Sequence, residues 1–350
     1  MTYYHHFILH CFESKQPMRV STLYHLLKGK RTTSILSYAY FYDLLEYFNL
    51  FSKQQESSYL KTIQELIQNG YLEVLEEGVV QITDEGLLLL INQKAKPNLS
   101  SLNQLKYYKW DLKYWQRLLF VTQVISEKSF KEKNYVPIEN NVFRQQQLKR
   151  WLKKQDEKII ENIYDEWRFI ADQLPKDDQI YIFKQLVGHE HVGQTFQQIT
   201  ENQETDLIFS YLEFKNILHE MIELIEEFQD KLPIFFGMMG EEKQLLKEES
   251  YLVTKKIYEK TQSVREVAQV RNLKESTITD HLLESFLIST SKEEIILNES
   301  LNRQILDKFR VEQPDFRRWR FSDVRKEMPN LSFYEFKMYQ FFLVEQEKVL

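Results

Sequence analysis

The sequence has 350 residues, of which 43% are hydrophobic and 14% aromatic, so we expect a large core and exclude wholesale disorder. The formal net charge of −6 argues against a chain that coats nucleic acid through a strongly basic surface. The single cysteine, Cys11, excludes an intramolecular disulfide and a zinc site built from several cysteines.

The composition also favours one class of secondary structure. Only 8 Gly and 7 Pro occur, and Leu, Ile, Lys, Glu and Gln are abundant, which indicates a mainly α fold. The N-terminus lacks a basic region followed by an unbroken apolar stretch, and no run of about 18 apolar residues exists. We therefore expect neither a signal peptide nor a transmembrane helix, and a cytoplasmic location.

The first predicted module, residues 1–95, begins with a helix from Ser21 that Gly29 ends. A second, aromatic-rich helix follows in "TTSILSYAYFYDLLEYF". A third helix ends at Gly70. It precedes a predicted hairpin of strands Tyr71–Val74 and Val79–Ile82, and a further helix comes next. A third helix followed by a hairpin is the order of a winged helix, so we predict a winged-helix-like domain with the hairpin as its wing.

The turn before the second helix carries a group of basic residues, Lys28, Lys30 and Arg31. The spacing lacks the first glycine and the spacer of a nucleotide-binding loop. However, the N–H groups that begin a helix attract anions, and the hydroxyls of residues 32–34 could add donors. We predict that a DNA phosphate or a carboxylate binds here; the alternative is an exposed turn.

A Pro/Asn/Ser connector, "KAKPNLSSLNQ", precedes a predicted helical bundle over residues 98–249. Apolar residues at helical spacing form three stripes. The stripes are Leu105, Tyr108, Leu112, Trp115 and Leu119; Ile159, Ile160, Ile163, Trp167 and Ile170; and Leu212, Ile217, Met221, Leu224, Ile225 and Phe228.

One stretch of the bundle, "LKYYKWDLKYWQRLLF", interleaves basic and aromatic residues. Its cations are Lys106, Lys109, Lys113 and Arg117, and its rings are Tyr107, Tyr108, Trp110, Tyr114 and Trp115. On a helix, one side must be core, whereas the other could form a basic aromatic pocket. Such a pocket would suit single-stranded DNA or the acidic, apolar tail that single-stranded-DNA-binding proteins carry. Core packing of the rings is the alternative.

Charge is unevenly distributed along the middle of the chain. Residues 94–158 have 15 Lys and Arg against 6 Asp and Glu, a net charge of +9. Residues 159–249 have 7 against 20, a net charge of −13. This pattern is consistent either with solvated helix faces or with a positive groove that meets an acidic or phosphate partner.

The last module, residues 250–350, contains "SVREVAQVRNLKESTITDHL", which has the pattern of a helix-turn-helix. Ser263 and Glu266 are spaced as a capping box, and Asn272 suits the left-handed turn. Apolar residues at matching positions are predicted to fill the angle between the two helices: Val264, Val267, Ala268, Leu273, Ile278 and Leu282.

The second helix of this motif is predicted to expose a face that is mostly acidic. Its outward residues should be Lys274, Glu275, Ser276, Thr279, Asp280 and Leu283, with Glu284 nearby. DNA-binding proteins gain most of their affinity by neutralising phosphates with Lys and Arg. We therefore expect a packing or docking module with at most weak DNA contact through Lys274, Ser276 and Thr279.

A second basic group occurs in "PDFRRWRFSDVRKEMP", where Arg317, Arg318 and Arg320 surround Trp319. Arginine binds phosphate through two hydrogen bonds, and an aromatic ring can stack on an unpaired base. These residues are predicted to contact DNA; the alternative is that Trp319 belongs to the core and the arginines are solvated.

Sequence motifs give no sign of catalysis. His189-Glu190-His191 and His5-His6 do not have the spacing of metal ligands on a helix. No phosphate loop, deaminase signature or nucleophile setting is visible. We expect a protein that is not an enzyme and that uses no cofactor or metal.

The quoted helix-turn-helix, followed by "RFSDVRKEMPNLSFYEFKMYQFFL", resembles the helicase-type helix-turn-helix domain at the C-terminus of some bacterial RecQ-like DNA helicases. With "LLKGKRTTSIL", the aromatic helix and "VVQITDEG" in front, the layout resembles the YpbB-type proteins, which are typically encoded beside a RecQ-type helicase. The resemblance covers both ends of the chain and extends to the middle only by length and helicity.

The resemblance implies a non-enzymatic accessory of a RecQ-like helicase in DNA recombination, repair or replication restart. Such a protein would dock the helicase, or the tail of a single-stranded-DNA-binding protein, and would bind DNA weakly. The alternatives are a transcription regulator that reads an operator with its helix-turn-helix and a scaffold that binds only proteins.

Overall fold

The computed structural model describes residues 1–93, 96–246, 249–288 and 303–349, and it is mainly helical, as predicted. The chain forms two compact units. Unit 1 consists of Met1–Pro17 and Ser57–Lys247, and unit 2 consists of Met18–Glu56 and Glu248–Leu350. Each unit therefore contains two separate segments of the sequence.

The elements follow one another with short connections. The helices up to residue 173 are α1 Tyr3–His10, α2 Val20–Leu27, α3 Thr33–Phe41, α4 Glu56–Gln68, α5 Asp84–Ile91, α6 Gln104–Tyr107, α7 Asp111–Ser129, α8 Val142–Leu152 and α9 Ile159–Gln173. The later helices are α10 Ile180–Phe183, α11 Phe196–Asn202, α12 Leu207–Glu227, α13 Pro233–Leu245, α14 Ser250–Thr261, α15 Val264–Arg271, α16 Glu275–Ile288, α17 Arg303–Glu312, α18 Phe321–Glu327 and α19 Phe333–Val349. The strands are β1 Met18–Arg19, β2 Leu72–Glu76 and β3 Val79–Ile82, and single 3-10 turns occur at Leu45–Tyr47 and Phe316–Arg318.

Local signals in the first 93 residues predicted most of these elements, but the second helix ends at Phe41 and not at Phe48 as the sequence predicted. Helix α2 ends just before Gly29, whose φ of +79° is the left-handed conformation that a residue with a Cβ rarely adopts. Strands β2 and β3 pair antiparallel, with Leu72 opposite Ile82. Thr83 begins α5 because its hydroxyl accepts the Gly86 N–H at 3.1 Å.

These elements nevertheless do not form the predicted domain. Helices α2 and α3 belong to unit 2, whereas α4 and the β2–β3 hairpin belong to unit 1, so a winged-helix domain is not confirmed. Aromatic packing holds α3 in unit 2, since the Tyr40 ring lies 4.8 Å from that of Phe341. The two units differ from the predicted division into domains 1–95, 98–249 and 250–350, which stays a prediction.

The core of unit 1 is aromatic and lies between α7, α9, α12 and α13. The Trp167 ring meets Trp115 edge-on at 6.4 Å and Phe235 at 4.9 Å. Most members of the two later predicted stripes are buried. The first stripe was partly wrong, because α6 ends at Tyr107 and α7 begins at Asp111, and this break leaves Leu112 exposed.

A buried ionic group joins α7 to α12. The Asp111 carboxylate accepts a hydrogen bond from Lys215 Nζ and lies 2.9 Å from His219 Nε2, and all three side chains are buried. The Asn103 N–H donates to His219 Nδ1 at 2.8 Å, so that ring nitrogen carries no proton. Burial lowers the pKa of His219 to about 4, which agrees with a neutral ring that donates to Asp111.

Unit 2 is built around α16. Helices α3, α14, α15 and α19 all pack against it. The stacked rings of Phe286 on α16 and Phe341 on α19 lie 5.4 Å apart. The second helix of the motif, which was predicted to expose one face to solvent, is therefore the central helix of its unit.

Candidate functional site

The helix-turn-helix forms as predicted. Ser263 Oγ accepts the Glu266 N–H at 3.3 Å, and Asn272 adopts the left-handed conformation with a φ of +50°. Only half of the expected capping box is present, because the Ser263 N–H donates to Thr261 Oγ1 at 3.4 Å and not to Glu266. The hydroxyl of Thr261, two residues before Ser263, takes the place of the Glu266 carboxylate.

The small core of the motif also matches the expected residues. Val267, Ala268, Ile278 and Leu282 form one buried cluster, against which partly buried residues pack, including Val264 and Leu273. The spacing of the apolar residues was sufficient to identify them, since it depends only on the two helices and the turn between them.

The predicted reading face is only partly outward. Lys274 and Ser276 are exposed, but Thr279 is 9% exposed and Leu283 is fully buried. The expectation for Thr279 and Leu283 was wrong because α3 and α19 cover this side of α16. Their segments lie far from α16 in sequence, so the local pattern gave no sign of them.

The acidic residues of α16 meet the basic turn before α3. Arg31 forms an ion pair with Glu284, and its Nη2 lies 3.8 Å from Glu249 Oε2. The Thr33 hydroxyl donates a hydrogen bond to Asp280. The predicted anion site therefore binds carboxylates of its own unit.

The other two cations of that turn have different surroundings. Lys28 Nζ donates to the carbonyl oxygen of Ser52, and Lys30 is exposed. The three basic residues thus do not converge on a common anion. Whether Lys28, Lys30 and Arg31 contact an external partner stays a prediction.

A cavity of about 300 Å³ lies beside this ion pair. Its lining includes Arg31 and three carboxylates, those of Glu249, Asp280 and Glu284. The pKa of His281, which also lines it, is lowered by burial and by the Arg271 guanidinium, so it adds no positive charge at neutral pH. The excess of carboxylates makes the cavity a poor site for a phosphate.

The second basic group is divided between core and surface. Trp319 is buried, donates its indole N–H to the Gln313 carbonyl at 2.8 Å and packs edge-on against Phe309 at 4.9 Å. Arg317 is tied to Glu347 and to the Phe41 carbonyl, the latter at 3.1 Å. The core alternative is thus correct for Trp319, and it leaves no exposed ring here for a base.

The remaining arginines of that group lie at the surface. Arg318 is exposed, and its Nε lies 3.4 Å from Asp315. Arg320 is exposed at the start of α18. The predicted contacts of Arg317, Arg318 and Arg320 with DNA stay predictions, and the structure presents the last two to solvent.

In the bundle, part of the basic segment is paired with the acidic segment. Lys106 Nζ lies 2.8 Å from Glu226, which also binds Lys243 at 2.7 Å. Arg117 pairs with Glu241 and, at 3.3 Å, with Glu242. A small part of the charge asymmetry seen in the sequence is therefore used for ion pairs within unit 1.

The predicted basic aromatic pocket is largely filled core. Four of its five rings are buried: Tyr107, Trp110, Tyr114 and Trp115. Lys109 Nζ lies 5.7 Å from the centre of the half-buried Tyr108 ring, and Lys113 is exposed. A partner role for Lys106, Lys109, Lys113 and Arg117 stays a prediction, but it cannot use those four rings.

Two features escaped the sequence reasoning. The Asp111, Lys215 and His219 group had no local signal, because Asp111 lies 104 and 108 residues before its two partners along the chain. The cations of α8, Lys149 and Arg150, contributed to the segment charge, but the helical spacing that places them on one exposed face was overlooked.

Within the ranges given above, no group of three or more His, Cys, Asp or Glu side chains is arranged to hold a metal ion. No helix in the same part of the chain is long and apolar enough to cross a membrane.

Comparison with known proteins agrees with the C-terminal geometry. A family described as "Helix-turn-helix domain" matches residues 250–340. The chain is 23% identical over 298 residues to Protein YpbB of Bacillus subtilis (strain 168), an alignment that covers 81% of each protein. No solved structure shows a significant match. The chain is thus similar to Protein YpbB over most of its length and carries a C-terminal helix-turn-helix domain, as the resemblance predicted.

Proposed function

We propose that this protein is a non-enzymatic accessory of a RecQ-like DNA helicase in recombination, repair or replication restart. It docks protein partners through its surface and binds DNA weakly. The resemblance of the C-terminal residues to the helicase-type helix-turn-helix supports the link to a helicase. The similarity to Protein YpbB over 81% of each chain supports a shared architecture.

The main support for a docking role, as opposed to the reading of DNA bases, is the packing of α16. A helix that reads bases must present its first turns to the major groove. Here Thr279 is buried, and Asp280 and Glu284 are engaged by Thr33 and Arg31. This arrangement favours a helix-turn-helix that organises its own unit over one that inserts into DNA.

Weak DNA contact is assigned to cations that remain at the surface of unit 2. Lys274, Arg318 and Arg320 are exposed, as is Lys30. A few phosphate contacts of this kind give an affinity that falls steeply with salt and carries no sequence information. The proposed protein partners are the helicase and the acidic tail of a single-stranded-DNA-binding protein.

Pull-down with the cognate RecQ-like helicase, together with DNA-binding measurements at two salt concentrations, tests the proposal. We expect the helicase to be retained. We also expect affinity for single- and double-stranded DNA to fall several-fold or more as salt rises from about 50 to 200 mM. Absence of the helicase from the pull-down, combined with a flat salt response, would contradict the proposal.

The same measurements distinguish the two alternatives. An operator-reading regulator would be a symmetric dimer, would give a sequence-specific footprint, and would lose specificity in Lys274→Ala. A protein-only scaffold would retain the helicase and show no DNA binding, either in the wild type or in Arg318→Glu with Arg320→Glu. We expect that double variant to weaken DNA binding and leave helicase retention unchanged.

A further inference from the structure

Helix α8 of unit 1 has an exposed face that combines apolar and basic side chains. Positions 142, 143, 146, 149, 150 and 153 fall within about 120° of the helix circumference. Val142 is 63% exposed and Phe143 57% exposed at the N-terminal end of this face. Lys149, Arg150 and Lys153 are exposed at the other end. An apolar half and a cationic half therefore follow one another along one side of the helix.

The opposite side of α8 fixes the orientation of this face. Leu148 is buried, and Trp151 and Leu152 pack against the core of unit 1. Arg144 Nη1 lies 3.5 Å from the buried Glu242 carboxylate. Because these contacts hold the inner side of the helix, the outer face cannot turn inward to bury Val142 or Phe143.

The loop before α8 is also held in place, with its apolar side chains outward. The buried Gln123 amide donates to the Val136 carbonyl and accepts the Ile138 N–H, both at 2.9 Å. Asn141 Oδ1 accepts the Phe143 N–H at 2.9 Å and caps the helix. Val136 is nevertheless 85% exposed. A surface ordered before binding loses less conformational entropy when a partner covers it.

The cations of α8 differ from the other cations of the basic segment. Lys106 and Arg117 are neutralised by Glu226, Glu241 and Glu242. For Lys149, Arg150 and Lys153, no carboxylate lies within ion-pair distance in the described part of the chain. Part of the positive charge that the bundle does not neutralise is thus concentrated beside exposed apolar side chains.

We propose that the α8 surface, defined as Val136, Val142, Phe143, Lys149, Arg150 and Lys153, docks an acidic segment of another protein that carries large apolar side chains. The face from residue 142 to 153 is about 16 Å long, which matches roughly five extended residues. The apolar side chains of the segment cover Val142 and Phe143, and its carboxylates lie along Lys149, Arg150 and Lys153. This inference rests on the docking role proposed above.

The apolar half of the surface favours a protein over nucleic acid. Bases bind proteins by stacking on aromatic rings, and Phe143 is the one ring among these six residues. Contact with aliphatic or aromatic side chains of a partner would remove the apolar area of Val136 and Val142 from water, which lowers the free energy of the complex. Exposed apolar patches with a polar rim are typical of protein interaction sites.

Fluorescence anisotropy with the full-length protein tests the proposal. The probe is a labelled seven-residue peptide that consists of two leucines and a phenylalanine followed by four aspartates. A second peptide has serine at the three apolar positions, and a single-stranded oligonucleotide is the third probe. We expect the first peptide to bind at least about tenfold more tightly than the second.

Two variants of α8 and one control locate the binding site. Lys149→Glu with Arg150→Glu, and separately Phe143→Ser, should each weaken binding of the first peptide by at least about tenfold. Lys176→Glu with Lys184→Glu, an equal charge change at exposed positions of unit 1, should leave it within about twofold. Circular dichroism checks the fold, and Lys149→Gln with Arg150→Gln replaces the charge reversal if that variant unfolds.

Three outcomes would overturn the inference. They are absence of peptide binding at low salt, binding that the α8 variants leave unchanged, and binding of the oligonucleotide in place of the peptide. Failure here is separable from failure of the proposed function. If the helicase is still retained in the pull-down while the α8 variants have no effect, only the α8 surface is wrong.

Discussion

Helices α16 and α8 use charge in opposite ways. Asp280 and Glu284 of α16 are held by Thr33 and Arg31 of the same unit, whereas Lys149 and Arg150 of α8 face solvent. In sequence, both helices look like polar, solvent-facing surfaces. The difference shows that the number and sign of charges do not determine whether a surface is available to a partner. What determines it is whether the fold supplies a counter-charge.

The largest effect is expected where the counter-charges are fully buried, in the group around Asp111. Burial alone would raise the pKa of Asp111, but the hydrogen bond from His219 and the Lys215 ammonium hold that pKa below its usual value. Asp111→Ala would leave the Lys215 charge buried without a partner. We expect a loss of about 3–5 kcal/mol in the free energy of unfolding, measured by urea denaturation.

Asp165→Ala serves as the control, because Asp165 is an exposed carboxylate in the same unit. It should change the free energy of unfolding by less than about 0.5 kcal/mol. A similar small change for Asp111→Ala would mean that the buried group does not hold α7 and α12 together.

Glu166 presents the reverse case, a buried carboxylate that has only backbone donors among its described contacts. It accepts the N–H groups of Ile234 and Phe235 at 2.8 and 2.9 Å, and burial raises its pKa to about 7. A raised carboxyl pKa stabilises the fold at low pH, and that contribution is lost as pH rises through 7.

The contribution of Glu166 can be isolated by comparison with Glu166→Gln. The free energy of unfolding of the wild type, relative to this variant, should fall by up to about 3 kcal/mol as pH rises from 4.5 to 7.5. Chemical denaturation at a series of pH values measures this difference. A difference that is constant, or that rises with pH, would show that the two backbone N–H groups keep the carboxylate ionised in the fold.

An intermediate effect is expected when the pairing of α16 is broken. Arg31→Ala would remove the ion pairs that Arg31 makes with the half-buried Glu284 and Glu249 carboxylates. We expect a loss of about 1–3 kcal/mol in the free energy of unfolding, followed by urea denaturation. The neighbouring exposed Lys30→Ala should cost less than about 0.5 kcal/mol. If the two substitutions cost the same free energy, the ion pair of Arg31 with α16 would contribute no more to stability than an exposed cation does.

The smallest effect is expected on α8 itself. Lys149→Ala with Arg150→Ala removes two cations that face solvent, so the free energy of unfolding should change by less than about 0.5 kcal/mol. A thermal melt compared with that of the wild type measures it. A loss above about 1 kcal/mol would mean that these side chains stabilise the bundle, and the α8 surface would lose its main support.

The elements that local chemistry determines could be predicted from the sequence. Gly29, Asn272 and the β2–β3 hairpin have short-range signals, and each is where the sequence placed it. The long-range packing could not be predicted, because Tyr40 meets Phe341 across about 300 residues of chain. The candidate site was the part predicted least well, because long-range packing determines which residues surround Thr279 and Arg31.

The interleaving of the two units has a consequence for synthesis. Helices α2 and α3 leave the ribosome early, but α16 and α19, which cover Tyr40 and Phe41, follow more than 200 residues later. At roughly 5–20 residues per second, the aromatic side of α3 waits for ten seconds or longer without its native cover. During that interval, the nascent chain exposes aromatic side chains that the folded unit buries, and we expect chains that end before α16 to aggregate more readily than the full-length protein.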